Sequence, residues 1–379
     1  MSGPLIPTDS SSTQASVDGL RDLIAAEGFT LCGIAPAVDS SGHSDLVRWI
    51  EAGYASEMQY FADRIDAYRH PAGVLGGAKS IIAMAMPYPA RPAQPLPIGH
   101  GKVARYAWPG VDYHDVIHPK LKRLCRTIRE TFTGAAARGV VDTAPLMERE
   151  IAQLAGLGWR GKNTLLLNSV QGSYFFLACV LVDIELPTDG PQATAHCGTC
   201  TACLDACPTD AFPSAGVLDA SRCISYLTIE HRGPIDPLLR PAIGDWVFGC
   251  DVCQQVCPWN RRPARADPTP EVPMERIELS SLFGISEDDF RQRFRKTPMW
   301  RTRRRGLLRN AAIVLGNQGD ARSIQALTIG LHDDEAIVRG AAAWAIGQIG
   351  GRQAIDELDQ RLSIETDPDV ITEIDAALS

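Results

Sequence analysis

The sequence predicts an α/β domain over residues 1–185, a ferredoxin-like module over 186–265 and an α-helical, HEAT-like repeat domain over 266–379. Three observations predict this. Helical and strand periodicities alternate as far as Asp183, as an α/β unit requires. Eight cysteines crowd into residues 197–257 in two runs. Beyond residue 300 a motif recurs: Leu308-Arg309-Asn310-Ala311-Ala312 is matched by Val338-Arg339-Gly340-Ala341-Ala342.

The elements follow in order. Val17, Leu20, Leu23 and Ile24 recur at helical spacing and predict an amphipathic helix over 14–27. Residues 29–35 predict a strand, 46–53 a helix stopped by Gly53, and 79–86 a strongly apolar strand. Val116, Ile117, Leu121, Leu124, Cys125 and Ile128 predict a long helix over 113–131. A short strand over 139–142 ends in Asp142, a helix follows over 147–157, and 174–183 reads as a buried strand. Its apolar core, 175–182, is too short to span a bilayer. Residues 186–196, with Pro187, Gly190 and Pro191, read as a linker, and 261–273, with four prolines, as a second. In the tail, Gly316 and Gly347 extend the repeat to a period of 30–31 residues, and 367–370 open a third copy. Two helix pairs bury little surface alone, so the tail is expected to pack on the cysteine module.

The composition is that of an ordinary globular protein, 45% hydrophobic and 22% charged, with a net charge of −8. That charge argues against a general affinity for nucleic acid. Residues 291–309 are the exception: Arg291, Arg293, Arg295, Lys296, Arg301, Arg303, Arg304, Arg305 and Arg309 stand there without an acid. Phe294 and Trp300, in the same stretch, could pack or stack. Residues 1–16 are polar and lack the basic and apolar regions of a signal peptide, so a soluble cytosolic protein with reduced thiols is expected. Cys32, Cys125 and Cys179 read as buried small hydrophobes.

The first cysteine run, Cys197-x2-Cys200-x2-Cys203-x3-Cys207-Pro208, is the [4Fe–4S] pattern in which the fourth cysteine serves a second cluster. The second run, Cys250-x2-Cys253-x3-Cys257-Pro258, has Val247 where its leading cysteine would stand. Cys223 is the one cysteine left between them and is assigned as the replacement. Cluster one is then Cys197, Cys200, Cys203 and Cys257, and cluster two Cys207, Cys223, Cys250 and Cys253. Zinc sites also use CxxC pairs, but they do not ordinarily need eight interleaved thiolates with a proline after each run.

Clusters move single electrons, so the α/β domain is either a relay or the holder of a further cofactor. No GxGxxG or GxxxxGK[ST] follows an early strand, which disfavours a Rossmann-bound nucleotide or ATP. Asp142 ends an apolar strand before the turn Thr143-Ala144-Pro145. It reads either as a proton donor with a desolvated charge or as a turn or helix-capping residue. In Gly156-Leu157-Gly158-Trp159-Arg160-Gly161-Lys162-Asn163-Thr164, three glycines allow close backbone approach to a ligand, or form an ordinary helix-to-strand loop.

Together these motifs resemble the epoxyqueuosine reductases, cobalamin-dependent iron–sulfur enzymes of tRNA queuosine synthesis. The resemblance covers nearly the whole chain. It rests on Asp142-Thr143-Ala144-Pro145, on residues 158–164, on the cysteine pattern with its offset Cys223, and on Arg309-Asn310-Ala311-Ala312. Thr143 stands where many members have Ser and keeps the hydroxyl. The resemblance implies a cobalamin between the α/β and cluster domains, with contacts from Arg64, Tyr106, Lys162, Asn163, Thr164 and Ser225, and with Asp142 as the acid. The absence of Asp-x-His-x-x-Gly fits a corrin with no protein histidine on its lower face. The implied reaction reduces the epoxycyclopentane of epoxyqueuosine to the cyclopentene of queuosine at the tRNA wobble position, the final step of its biosynthesis. The basic segment would hold the anticodon stem-loop, with Arg295, Lys296, Arg303, Arg304 and Arg305 on phosphates. An electron donor such as a flavodoxin or ferredoxin, a monomeric state, no membrane and a cytoplasmic location are the accompanying expectations. Two other classes compete: a small-molecule corrinoid reductase of the dehalogenase kind, and a non-catalytic electron-transfer subunit.

Overall fold

The computed structural model describes residues 10–261 and 273–379. Most of the proline-rich linker expected over 261–273, and the first nine residues of the polar start, lie outside the described residues.

Chain order in the first domain is α1 (Ser10–Ala26), β1 (Leu31–Pro36), α2 (His43–Glu51), β2 (Ser80–Pro87), β3 (His100–Val103), α3 (Tyr113–Thr131), β4 (Ala137–Val140), α4 (Glu148–Leu154) and β5 (Phe175–Val182). The expected alternation is present, and the main sheet, ordered β1-β2-β5-β4, is antiparallel throughout. Its strands read as continuous apolar runs because both faces are covered. Ile82, Met84, Val180 and Val182 pack under α1 and α3, while Ile81, Ala83, Cys179 and Leu181 pack under α4. That division follows the period-two alternation of a strand. Asp112 caps α3 by accepting the His114 N–H. Gly139 admits α3 onto β4, since a Cβ there would stand 2.7 Å from that of Leu121.

A second sheet crosses the expected boundaries at 185 and 265. β3 pairs in parallel with β6 (Trp246–Phe248) of the cysteine module and antiparallel with β7 (Arg276–Glu278) beyond the second linker. Val103 and Trp108 therefore share one core with Ile224, Phe248, Leu279 and Leu307.

The tail consists of α5 (Arg303–Gln318), α6 (Ile324–Leu331), α7 (Ala336–Ile349), α8 (Arg352–Leu362) and α9 (Pro368–Leu378). The repeat glycines are helix crossings. A Cβ on Gly316 would stand 2.8 Å from Ala345 Cα, and one on Gly347 2.9 Å from Ala377 Cα, so α5 packs on α7 and α7 on α9. The tail docks on the cysteine module through its own motif. Arg309 donates to the Leu227, His231 and Gly233 carbonyls, and Asn310 to those of Thr228 and Val247.

Candidate active site between the α/β domain and the cluster module

All eleven cysteines are free of disulfides. The eight in the module fall into two groups. Burial raises the Cys203 thiol, and Cys257, Cys197 and Cys200 add to this. Cys257 is raised in the same way, with Cys197 and Cys200 as neighbours. In the other group, Cys223 faces Cys207, Cys250 faces Cys223 and Cys253, and Cys253 faces Cys223 and Cys207. This is the interleaved partition expected from the spacing. Cys253 also faces Cys203, so the groups adjoin. Most of these cysteines are half-buried, Cys257 is buried and Cys200 is exposed; deprotonated around iron, two such sets of four are the donor chemistry of [4Fe–4S] clusters. Backbone N–H groups already aim at several sulfurs: Ala211 N–H donates to Cys207 Sγ at 3.4 Å.

Between the module and the α/β domain lies a cavity of ≈ 1290 Å³. Trp49, Phe61, Tyr68 and Tyr106 form an aromatic side, Glu148 and Arg149 enter from α4, and residues 213–218 close another edge. Trp49 Nε1–H donates to Leu218 O at 2.5 Å and ties these walls together. Cys223 and Ser225 line the same space, so the second cysteine group borders the cavity directly.

Asp142 stands on this wall, in the turn after β4, with its side chain 47% exposed. Its φ is +59°, a left-handed conformation that Asp and Asn adopt more readily than other non-glycine residues. Tyr113 O–H donates to Asp142 Oδ2 at 2.7 Å. Arg301 Nη2 lies 3.5 Å and His114 Nε2 3.8 Å from the same oxygen. The Asp142 N–H donates to Glu148 Oε1 at 3.0 Å. The carboxylate caps no helix: α4 is preceded by Met147 and has no side-chain cap. That removes the helix-capping reading but not the turn reading, and the half-exposed side chain is not desolvated as expected. Burial, helped by the Asp142 charge, pushes the Glu148 carboxyl up to about 8. Burial and Asp142 likewise push the Tyr113 hydroxyl well above its ordinary value.

Of the other residues expected on the cofactor, Tyr106, Thr164 and Ser225 line the cavity. Arg64 stands behind the acid's turn, donating to Thr143 O at 3.4 Å. Lys162 and Asn163 turn toward the cysteine loops. Lys162 Nζ donates to Gly198 O at 2.8 Å and Cys200 O at 2.9 Å, and Asn163 Nδ2 to Cys253 O at 3.4 Å. These hydrogen bonds brace the cysteine loops against the α/β domain. The nearby glycines also serve the chain itself. Gly158 and Gly161 press against Leu167 in the small hairpin of Trp159–Arg160 and Leu166–Leu167.

The basic segment divides. Arg295, Lys296 and Arg303 are exposed, with the Arg303 guanidinium 4.4 Å from the Trp300 ring centroid. Arg305 is half-buried, 3.8 Å from Glu335. Arg304, expected on phosphate, is a correction: both terminal nitrogens donate to Asp333, at 3.1 and 2.5 Å, and its Nε–H to Ile285 O. Arg309 is buried on carbonyls, and Phe294 is in the core. Arg301 leaves the patch and enters the cavity, between Asp142 and Glu230. Sequence reasoning assigned no role to Arg301, Tyr113 or Glu148, although Glu148 stands three residues after the Asp142 motif.

Two thiolate groups, the inner one on the wall of a large cavity that holds an acid, define an iron–sulfur oxidoreductase. A family model described as a 4Fe-4S double cluster binding domain matches residues 196–260. One described as "Epoxyqueuosine reductase QueG, DUF1730" matches 69–143, and one for HEAT repeats matches 300–379. The epoxyqueuosine reductase of Pseudomonas aeruginosa is 43% identical over 331 residues, covering 85% of this chain and 91% of that protein. That of Escherichia coli K12 is 38% identical, covering 85% and 86%. A crystal structure of epoxyqueuosine reductase with an epoxyqueuosine-modified tRNA-Tyr stem loop superposes with a TM-score of 0.90 at 32% identity, over 97% of this chain and 98% of that one. A Bacillus subtilis epoxyqueuosine reductase superposes with a TM-score of 0.87 at 31% identity, over 97% and 99%. The chain belongs to the epoxyqueuosine reductase family, oxidoreductases that reduce epoxyqueuosine in tRNA to queuosine. A dehalogenase-like reductase or a bare electron-transfer subunit is not favoured.

Proposed function

We propose that the chain reduces epoxyqueuosine with cobalamin lodged in the cavity beside Cys223, and with Asp142 as the acid that protonates the epoxide oxygen. The observation that carries this reading is that Asp142 and Cys223 border one cavity of ≈ 1290 Å³. The size of that space, its aromatic side and its contact with the second cysteine group fit a large redox cofactor recharged by a cluster. When bound, cobalamin supplies the strongly reducing centre that delivers electrons to carbon. Tyr106, Thr164 and Ser225 line the space where it would sit. Tyr113 and Arg301 fix the Asp142 carboxyl through Oδ2, so its proton is presented in one orientation.

Of the residues expected on tRNA phosphates, Arg295, Lys296, Arg303 and Arg305 remain as candidates. A flavodoxin or ferredoxin as donor, a monomeric state and a cytoplasmic location complete the reading. Among the described residues no helix is long and apolar enough to cross a membrane. The test is nucleoside analysis of tRNA from a deletion strain. Epoxyqueuosine should accumulate, and the wild-type chain should restore queuosine. Unchanged queuosine in the deletion strain contradicts the reading.

A further inference from the structure

We propose that His114, held by Asp112, is a proton relay that recharges Asp142 within each turnover. The proposal rests on the reading of Asp142 as the acid. Converting an epoxide to an alkene breaks two C–O bonds, forms one C=C π bond and releases the oxygen as water. The step consumes two electrons, supplied by a one-electron reductant through the clusters, and two protons. One carboxyl holds one proton, so for Asp142 to deliver both it must be reprotonated between the first transfer and the second.

The neighbours of Asp142 leave one candidate. Tyr113 touches Oδ2, but burial and the adjacent carboxylate hold its hydroxyl well above the ordinary tyrosine value, so it anchors and does not donate its proton. Arg301 remains protonated throughout. Glu148 binds the Asp142 backbone N–H and not its carboxyl.

His114 has the geometry of a relay. Its Nδ1 lies 2.8 Å from Asp112 Oδ1, and Asp112 is held below the usual carboxylate range chiefly by that bond. An ionised Asp112 accepts, so Nδ1 carries hydrogen and Nε2 is left to exchange a proton. Nε2 is a buried side-chain nitrogen with no hydrogen-bond partner, and it lies 3.8 Å from Asp142 Oδ2. A small shift of either side chain closes that gap, and catalytic contacts of this kind shorten when substrate is bound. The ring is stacked on Tyr113, centroids 4.1 Å apart, which fixes its plane. Nε2 itself is shielded from solvent, and Asp112, 30% exposed, is the member of the pair that meets water, so protons return through it. A histidine oriented by a carboxylate toward the acting group is a recurrent arrangement for moving protons.

The test uses chemically reduced holoenzyme and an epoxyqueuosine-bearing stem-loop, with His114→Gln and Asp112→Asn. Asn still accepts the His114 N–H at the start of α3, so that variant keeps its helix cap. Both should lower kcat roughly 10- to 100-fold, the scale of a missing proton-transfer step. The KM for the stem-loop should hold, and the D2O effect on kcat should grow. A kcat within twofold of wild type in both variants, with an unchanged D2O effect, overturns the relay. So does a loss that appears mainly in KM. An inactive Asp142→Asn beside fully active His114 and Asp112 variants leaves the acid standing and removes only the relay. An active Asp142→Asn removes both.

Discussion

Glu148 Oε1 accepts the backbone N–H of Asp142 at 3.0 Å, and the residue it holds has a φ of +59°. An acidic side chain thus stabilises the left-handed turn that presents the acid to the cavity.

The burial of Glu148 beside the Asp142 charge has a pH signature. The Glu148 carboxyl is raised from 4.5 to about 8. Its folded state therefore holds a proton that the unfolded chain releases earlier. The associated stability is full below about 4.5 and is lost as pH rises through about 8. Glu148→Gln has no such proton to lose. Its melting temperature relative to wild type should rise across this window and level off above it. Parallel Tm curves for the two proteins would show that Glu148 titrates normally.

Cys223 stands outside both cysteine runs and borders the cavity, and is the ligand assigned to complete the second cluster. Wild type should carry about eight irons per chain. Cys223→Ala should lose roughly half of them, with the remaining signal coming from Cys197, Cys200, Cys203 and Cys257. Full iron content with both electron paramagnetic resonance signals in the variant would remove Cys223 from the ligand set.

The basic segment should separate into binding and folding residues. Replacing Arg295, Lys296, Arg303 and Arg305 with Ala should flatten the logarithmic salt dependence of stem-loop binding, by about 0.7–0.9 for each phosphate no longer neutralised. Arg304→Ala should act on stability. Arg304 and Asp333 are only 14% and 5% exposed, and removing one partner of a buried pair costs on the order of 3 kcal/mol. Salt titrations and thermal unfolding check both. Superimposable salt curves would place the tRNA elsewhere. An Arg304 variant as stable as wild type would make its pair with Asp333 incidental.

The features legible in the sequence were those encoded by local spacing. Cluster ligands repeat every three or four residues, because one loop must aim several thiolates at one centre. The repeat was readable because Gly316 and Gly347 occupy the same crossing in successive helix pairs. Asp142 was readable as a carboxylate beside a strand, though the strand ends at Val140 and Asp142 stands in the turn beyond it. What escaped depends on contacts between distant segments. Arg301 looks like its eight cationic neighbours until the fold sets it beside Asp142, 3.5 Å away. Lys162 and Asn163 sit in a cofactor-like motif, yet their donors meet carbonyls of the cysteine loops. The pairing of β3 with β6 and β7 joins segments that periodicity alone assigns to three domains.

The most direct test of Asp142 as the acid is a single-turnover reaction with Asp142→Asn. Asn accommodates the left-handed φ of +59° and removes only the transferable proton. Cobalamin, both clusters and the stem-loop should bind normally, and queuosine should form about 100- to 10,000-fold more slowly than in wild type. Queuosine formed at a rate within a few-fold of wild type, from the same reduced holoenzyme, would contradict the account.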